Sequence, residues 1–175
     1  MNLDKNYLKQ FIKATEIAAY GASLFTGKGD KNGADKSAVD LMRAELNKID
    51  MEGTIVIGEG EMDEAPMLYI GEKVGTKKGS SLDIAIDPVE GTNFVAQNLP
   101  NAFSVLAVAQ KGSLLAAPDT YMEKIAIGAN LPNNLLDLDN SVEKNIKLLA
   151  DAKNTSPDQL TACILERPRH DKIVN

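Results

Sequence analysis

The sequence predicts an α/β protein. Two helical apolar stripes open the chain, and short β-branched runs follow them. Those runs end in knots of acids, glycines and a proline, so strands and helices alternate instead of segregating into an all-α or all-β pattern.

Leu8, Phe11, Ile12, Thr15, Ala18, Ala19 and Ala22 recur at helical spacing and form the first stripe, which narrows to alanine and so predicts close packing at its end. Gly27 to Gly33 reads as a glycine-punctuated loop. Ala38, Val39, Met42, Leu46 and Ile49 form a second helical stripe, broken by Asp50 to Gly53. Thr54–Ile57 and Leu82–Asp87 read as buried strands, separated by the turn Lys77-Lys78-Gly79-Ser80. Phe103–Gln110 alternates like a strand and leads through Lys111-Gly112-Ser113 into another at Leu114–Ala117. Tyr121–Gly128 and Thr161–Leu165 complete the expected strands, the last holding Cys163 in the core. Between them Val142, Ile146, Leu149 and Ala150 mark a helix with Ser141 as its N-cap. Pro168 to Asn175 opens like a helix and stops within about two turns, so the chain is expected to be the N-terminal portion of a longer protein.

The 175 residues suffice for one domain, and with no repeat, linker or low-complexity tract the expectation is a single domain over 1–175. A net charge of -6 and the absence of tryptophan argue against a nucleic-acid partner. No apolar run approaches a membrane span, and no signal peptide is evident. One cysteine cannot form an intrachain disulfide, which fits a cytoplasmic setting.

The chemistry concentrates where the strands end. In Asp83-Ile84-Ala85-Ile86-Asp87-Pro88-Val89-Glu90-Gly91-Thr92, period-two alternation places Ile84 and Ile86 on one face and Asp83, Ala85 and Asp87 on the other. Pro88 has no N–H for the ladder and is expected to end the strand, letting Glu90 fold back beside Asp87. Gly91 permits close backbone approach, and Thr92 offers a hydroxyl. Two carboxylates there suit a hard cation bridged to a phosphate. The other strand runs into Gly58-Glu59-Gly60-Glu61-Met62-Asp63-Glu64, a crowd of acids that repel unless solvated or neutralised by metal. Asp35 lies amid the second helical stripe, where a charge needs a partner; a first-turn position favoured by the helix dipole would also account for it.

Taken singly, each feature is ordinary. Acidic loops are usually solvated, and Asp-Pro turns after strands are common. The lone His170 has no second histidine for a zinc site, and Cys163 reads as packing. The Gly27–Gly33 loop lacks both a P-loop ending and calcium-loop spacing. Two acidic strand ends together with an inward acid on a helix are what point to a metal site.

An acid on an early helix, an acidic pair after a strand and then Asp-Pro-x-Glu-Gly-Thr resemble the lithium-sensitive, metal-dependent phosphatase superfamily of inositol monophosphatases and fructose-1,6-bisphosphatases. Within it, Ile57 to Leu68, Asp87 to Asn93, Lys31 to Asp35, Ala117 to Lys124 and Arg167 to His170 look like the bacterial class II fructose-1,6-bisphosphatases. The resemblance runs from about Tyr7 to the C-terminus. It implies the layered α/β sandwich of the sugar phosphatases, with mixed sheets and helices. It implies metal ligands at Asp35, Glu59, Asp87 and Glu90, and catalytic roles for Lys31, Asp63 and Thr92. Substrate contacts would come from Glu90, Gly91, Thr92, Tyr121, Arg167, Pro168 and Arg169. The implied cofactor is Mn2+ or Mg2+, and the implied partner is a small sugar bisphosphate. The implied reaction is hydrolysis of the 1-phosphate of fructose 1,6-bisphosphate in gluconeogenesis, by a homo-oligomer when full length. Sedoheptulose-1,7-bisphosphatase activity is an alternative, as is a truncated, non-catalytic metal-binding or pairing module. The family continues through an Asp-Gly-Asp phosphate contact and a later glutamate ligand that this sequence lacks, so the chain alone is expected to be weakly active or inactive.

Overall fold

The computed structural model describes residues 5–60, 67–115, 122–165 and 168–174. The chain divides into two compact units, Met1–Asp119 and Thr120–Asn175.

In the first unit, α1 (Lys5–Ser23) turns Phe11, Ala14, Ala18 and Ala22 into the core. The alanines let α2 (Lys31–Leu46) come close, as the narrowing stripe predicts. At Gly21 an added Cβ would sit 2.8 Å from Leu41 Cδ1 and 2.9 Å from the Ser37 carbonyl oxygen, so this crossing has no room for a side chain. Leu8 and Ile12 lie outside the packed stripe and are exposed. On α2 the expected residues Ala38, Val39, Met42 and Leu46 are all buried, and Ile49 follows them in the turn beyond.

The glycine-rich loop is shorter than expected. Helix α2 already begins at Lys31, because Asp30 caps it and accepts a hydrogen bond from Gly33 N–H at 2.8 Å. The first-turn place next to the dipole is thus served by Asp30. Asp35 lies beyond that turn, which removes the helix-dipole account of it.

The sheet has four strands in the order β2-β1-β3-β4. Strand β1 (Met51–Ile57) starts three residues earlier than its β-branched run implies, with Met51 fully buried. Strand β2 (Lys73–Val74) is too short to leave a sequence signal and pairs antiparallel with β1. Strand β3 (Ser80–Glu90) pairs parallel with β1, and β4 (Phe103–Gln110) pairs antiparallel with β3. Leu82, Ile84 and Ile86 enter the core shared with α1 and α2, as the alternation predicts.

Pro88 does not end β3. The register slips between Asp87 and Glu90 opposite β4, and this bulge accommodates the proline, which is fully buried, at a position where no ladder N–H is required. A short helix, α3 (Thr92–Ala96), follows from Gly91 at φ 89, a left-handed conformation suited to glycine.

Three expected strands form no ladder among the described residues. Residues 114–115, 122–128 and 161–165 carry no ladder, although 116–121 lie outside the described residues. An apolar run becomes a strand only when another strand accepts its hydrogen bonds, and none among the described residues does so here. Cys163 is accordingly exposed instead of packed in a core.

In the second unit, α4 (Val142–Ala152) forms as expected, with the Ser141 hydroxyl accepting from Lys144 N–H at 3.2 Å. Asn145 is buried on this helix because the preceding loop folds onto it: its amide donates to the Asp137 carbonyl at 2.7 Å and accepts from Asp137 N–H at 3.2 Å. The chain then forms a 3-10 turn at Pro168–His170 and α5 (Asp171–Val174), the short terminal helix that the sequence predicts. His170 Nδ1–H donates to the Leu165 carbonyl at 2.5 Å, a structural contact within this unit.

Candidate active site

The parallel pairing of β1 with β3 decides where the acids meet. Parallel neighbours end at the same edge of a sheet, and ligands of open α/β sheets collect beyond those carboxyl ends. Glu59 follows the end of β1 there, and Asp87 and Glu90 lie among the last residues of β3. Helix α2, packed on the core face, supplies Asp35.

Local backbone bonds fix each carboxylate. The Asp87 Oδ1 accepts from Val89 N–H at 3.0 Å across Pro88, which holds its χ1. Glu90 lies close enough for its side chain and charge to raise Asp87, which puts it beside Asp87 by way of the bulge rather than a turn. Glu59 N–H donates to the Leu68 carbonyl at 3.0 Å, and Ile70 N–H donates to the Gly60 carbonyl at 3.0 Å, so the acidic loop is pinned on both sides of its base. Gly58 is glycine for reasons of space. A Cβ there would collide with the Leu68 carbonyl oxygen and stand 2.6 Å from Ile55 Cγ2, so glycine is what lets the two loop limbs touch.

These acids share one electrostatic field. Burial pushes Glu59 up to about 7, with the charges of Asp35 and Asp87 adding to the shift. Asp87 is pushed up to about 6, by burial first and then by its hydrogen bond to Glu90 and the Glu90 charge, while the Val89 N–H opposes the shift. Burial also raises Asp35. Folding thus forces carboxylates together against their own repulsion.

Stability should depend on pH accordingly. Between the ordinary glutamate value of 4.5 and about 7, the folded state keeps a proton at Glu59 that the unfolded chain has released. The folded state then binds more protons, so metal-free stability falls as pH rises through this window and levels off above it. Groups with lowered values, such as Glu45 beside Lys48, act below that window and leave its slope alone. Urea unfolding in EDTA between pH 4.5 and 8 should show this decline, and E59Q should remove its upper part, leaving what Asp87 contributes below about pH 6. A stability that climbs through the window would contradict the arrangement.

Lys31 is the exposed first residue of α2, and Thr92 is the half-buried first residue of α3. Pro168 and Arg169 belong to the 3-10 turn of the second unit. Asp63, Tyr121 and Arg167 lie outside the described residues, as does Glu61. Among the described residues no group of three or more acidic, histidine or cysteine side chains is placed to hold an ion. Asp35, Glu59 and Asp87 therefore share a field without forming a closed cage. Their chemistry nevertheless fits a divalent cation: the donors are all carboxylate oxygens, the type that Mg2+ and Mn2+ take, and their repulsion is what a cation would relieve.

The family described as bacterial fructose-1,6-bisphosphatase, glpX-encoded, matches residues 5–175. The Escherichia coli K12 protein named fructose-1,6-bisphosphatase 1 class 2 is 49% identical over 165 residues, covering 94% of this chain and 49% of that protein. A Haemophilus influenzae fructose-1,6-bisphosphatase class 2 is 47% identical over 165 residues, with the same coverage. A Synechococcus protein named D-fructose 1,6-bisphosphatase class 2/sedoheptulose 1,7-bisphosphatase is 43% identical over 172 residues, covering 98% of this chain and 51% of its own. The chain spans about half the length of the curated relatives it matches. With a family match across residues 5–175 and strand ends that carry the same acids as the motifs read from the sequence, the chain belongs to the bacterial, glpX-encoded fructose-1,6-bisphosphatase family.

Proposed function

We propose that the full-length protein hydrolyses the 1-phosphate of fructose 1,6-bisphosphate, giving fructose 6-phosphate and phosphate. The observation that carries this reading is the meeting of Asp35, Glu59 and Asp87 in one field at the carboxyl edge of a parallel strand pair, in a chain of this family. Asp35, Glu59, Asp87 and Glu90 would hold Mn2+ or Mg2+. Bound there, the cation supplies charge neutralisation for the phosphate and a lowered pKa for water.

The chain's own residues do the rest. Asp63 orients the attacking water and takes its proton. Water oxygen bonds to phosphorus as the bond from phosphorus to the sugar O1 breaks, and O1 leaves as an alkoxide that takes a proton from solvent. Lys31, Thr92 and the backbone after Gly91 stabilise charge on the phosphoryl oxygens. Glu90 and Tyr121 position the sugar, and the Arg167-Pro168-Arg169 stretch binds the distal phosphate, for which a guanidinium fork is suited. Gluconeogenesis in the cytoplasm is the setting this reaction fits. No helix among the described residues is long and apolar enough to cross a membrane.

Sedoheptulose 1,7-bisphosphate is a second substrate reading, favoured by the cyanobacterial relative whose name carries both activities. Competing the two sugars in one assay of phosphate release with Mn2+ separates the readings. Release from neither substrate by the full-length protein would remove both.

A further inference from the structure

Glu72 is a buried acid that the proposed reaction does not use; its side chain is 5% exposed. It sits where the acidic loop returns to the sheet, immediately before β2. Its Oε1 pairs with Arg43 Nε of α2 at 2.5 Å, and its Oε2 accepts from Leu68 N–H. Leu68 is fully buried at φ 56, a left-handed conformation that a leucine rarely adopts. Such a conformation persists only where surrounding contacts over-determine it. The carbonyl of the same leucine accepts the Glu59 N–H, and Gly58 touches it. The Glu72 backbone adds a further tie, its carbonyl accepting from Ile55 N–H in β1 at 2.9 Å.

The connections form one chain. Helix α2, which carries Asp35, reaches Glu72 through Arg43; Glu72 reaches Leu68; and Leu68 reaches the backbone of Glu59. We propose that Glu72, paired with Arg43, is a positioning residue that sets the distance between the Asp35-bearing helix and the Glu59-bearing loop, and so sets the affinity for a divalent cation. This rests on the phosphatase reading above. A residue in this role touches neither cation nor substrate. Its removal leaves the donors present and misplaced, with the Leu68 N–H buried and unpaired.

The test uses the full-length protein with E72A and E72Q. Mn2+ binding is followed by electron paramagnetic resonance, amide hydrogen exchange is followed at Glu59 and Leu68 in metal-free protein, and thermal unfolding confirms the fold. E72A should weaken Mn2+ binding by roughly tenfold, the lower end of what supporting residues of metal sites contribute. It should also speed exchange at Glu59. The glutamine oxygen can still accept from Leu68 N–H but cannot pair as a carboxylate with Arg43, so E72Q should recover part of both losses. In the assay the effect should fall on the Mn2+ concentration giving half-maximal rate more than on kcat. If E72A fails to fold, E72Q carries the same comparison. Folded variants that bind Mn2+ like the wild type, with unchanged Glu59 exchange, overturn the proposal and leave the phosphatase reading standing. A wild type that binds no Mn2+ overturns both.

Discussion

Replacing Asp87 by asparagine is expected to lower phosphate release from fructose 1,6-bisphosphate by roughly 10²- to 10³-fold in the full-length protein, the size of effect seen when one charge-stabilising group is removed from an active site. The substitution isolates charge from shape. Asparagine keeps an oxygen to accept from Val89 N–H, the 3.0 Å contact that holds this side chain across Pro88. It removes one of the charges that raise Glu59. Metal-free D87N should therefore unfold no earlier than the wild type near pH 8, because a repulsion has been removed. Activity loss with preserved or improved metal-free stability is the expected pair of results. Activity within twofold of wild type would show that Asp87 serves the fold alone.

Truncating Ile84 is expected to have the largest effect on stability. Ile84 is fully buried in the strand between β1 and β4, opposite Ile55 on one side and Val108 on the other. Ile84→Ala removes buried methyl groups at a site with strands on both sides and helices above, so little collapse is available, and the cost should be about 2–5 kcal/mol. Against a typical total of about 5–15 kcal/mol this is a large share. Ile84→Val should cost only about 0.5–1.5 kcal/mol. Urea unfolding of the three proteins checks both values, and an alanine variant within about 0.5 kcal/mol of wild type would place Ile84 outside the packed core.

The alternation that buries Ile84 was legible in the sequence, and so was the consequence that Asp87 faces away from the core. Both long helices were legible for the same reason: their stripes are regular and their buried residues mostly apolar. What period and composition do not carry is pairing. Strand β2 is two residues long, and its place beside β1 depends on a loop that folds back through Leu68 and Glu72. Glu72 itself stands between a glycine and a lysine and reads as a surface acid. Its charge partner is Arg43, 29 residues away, which no local pattern records. Pro88 misled in the opposite direction: a rule about ladder N–H groups holds for regular strands, and the bulge exempts this one. The apolar runs near residues 122–128 and 161–165 have strand composition without a partner among the described residues, and composition alone does not make a ladder.

At the candidate site, the sequence carried the identities of the acids, and the topology carried their meeting. Glu59 and Asp87 are 28 positions apart in the chain. Only the parallel register of β1 with β3 brings both strand ends to one edge. An antiparallel pairing of the same two strands would have sent them to opposite ends of the sheet.

Mn2+ titration of the wild type, D35N, E59Q and D87N at pH 8, read by electron paramagnetic resonance, tests the shared site most directly. If the three carboxylates hold one ion, as proposed, each single substitution should weaken binding by at least about tenfold. Wild-type affinity in any one of the three folded variants would show that its carboxylate belongs to no common site.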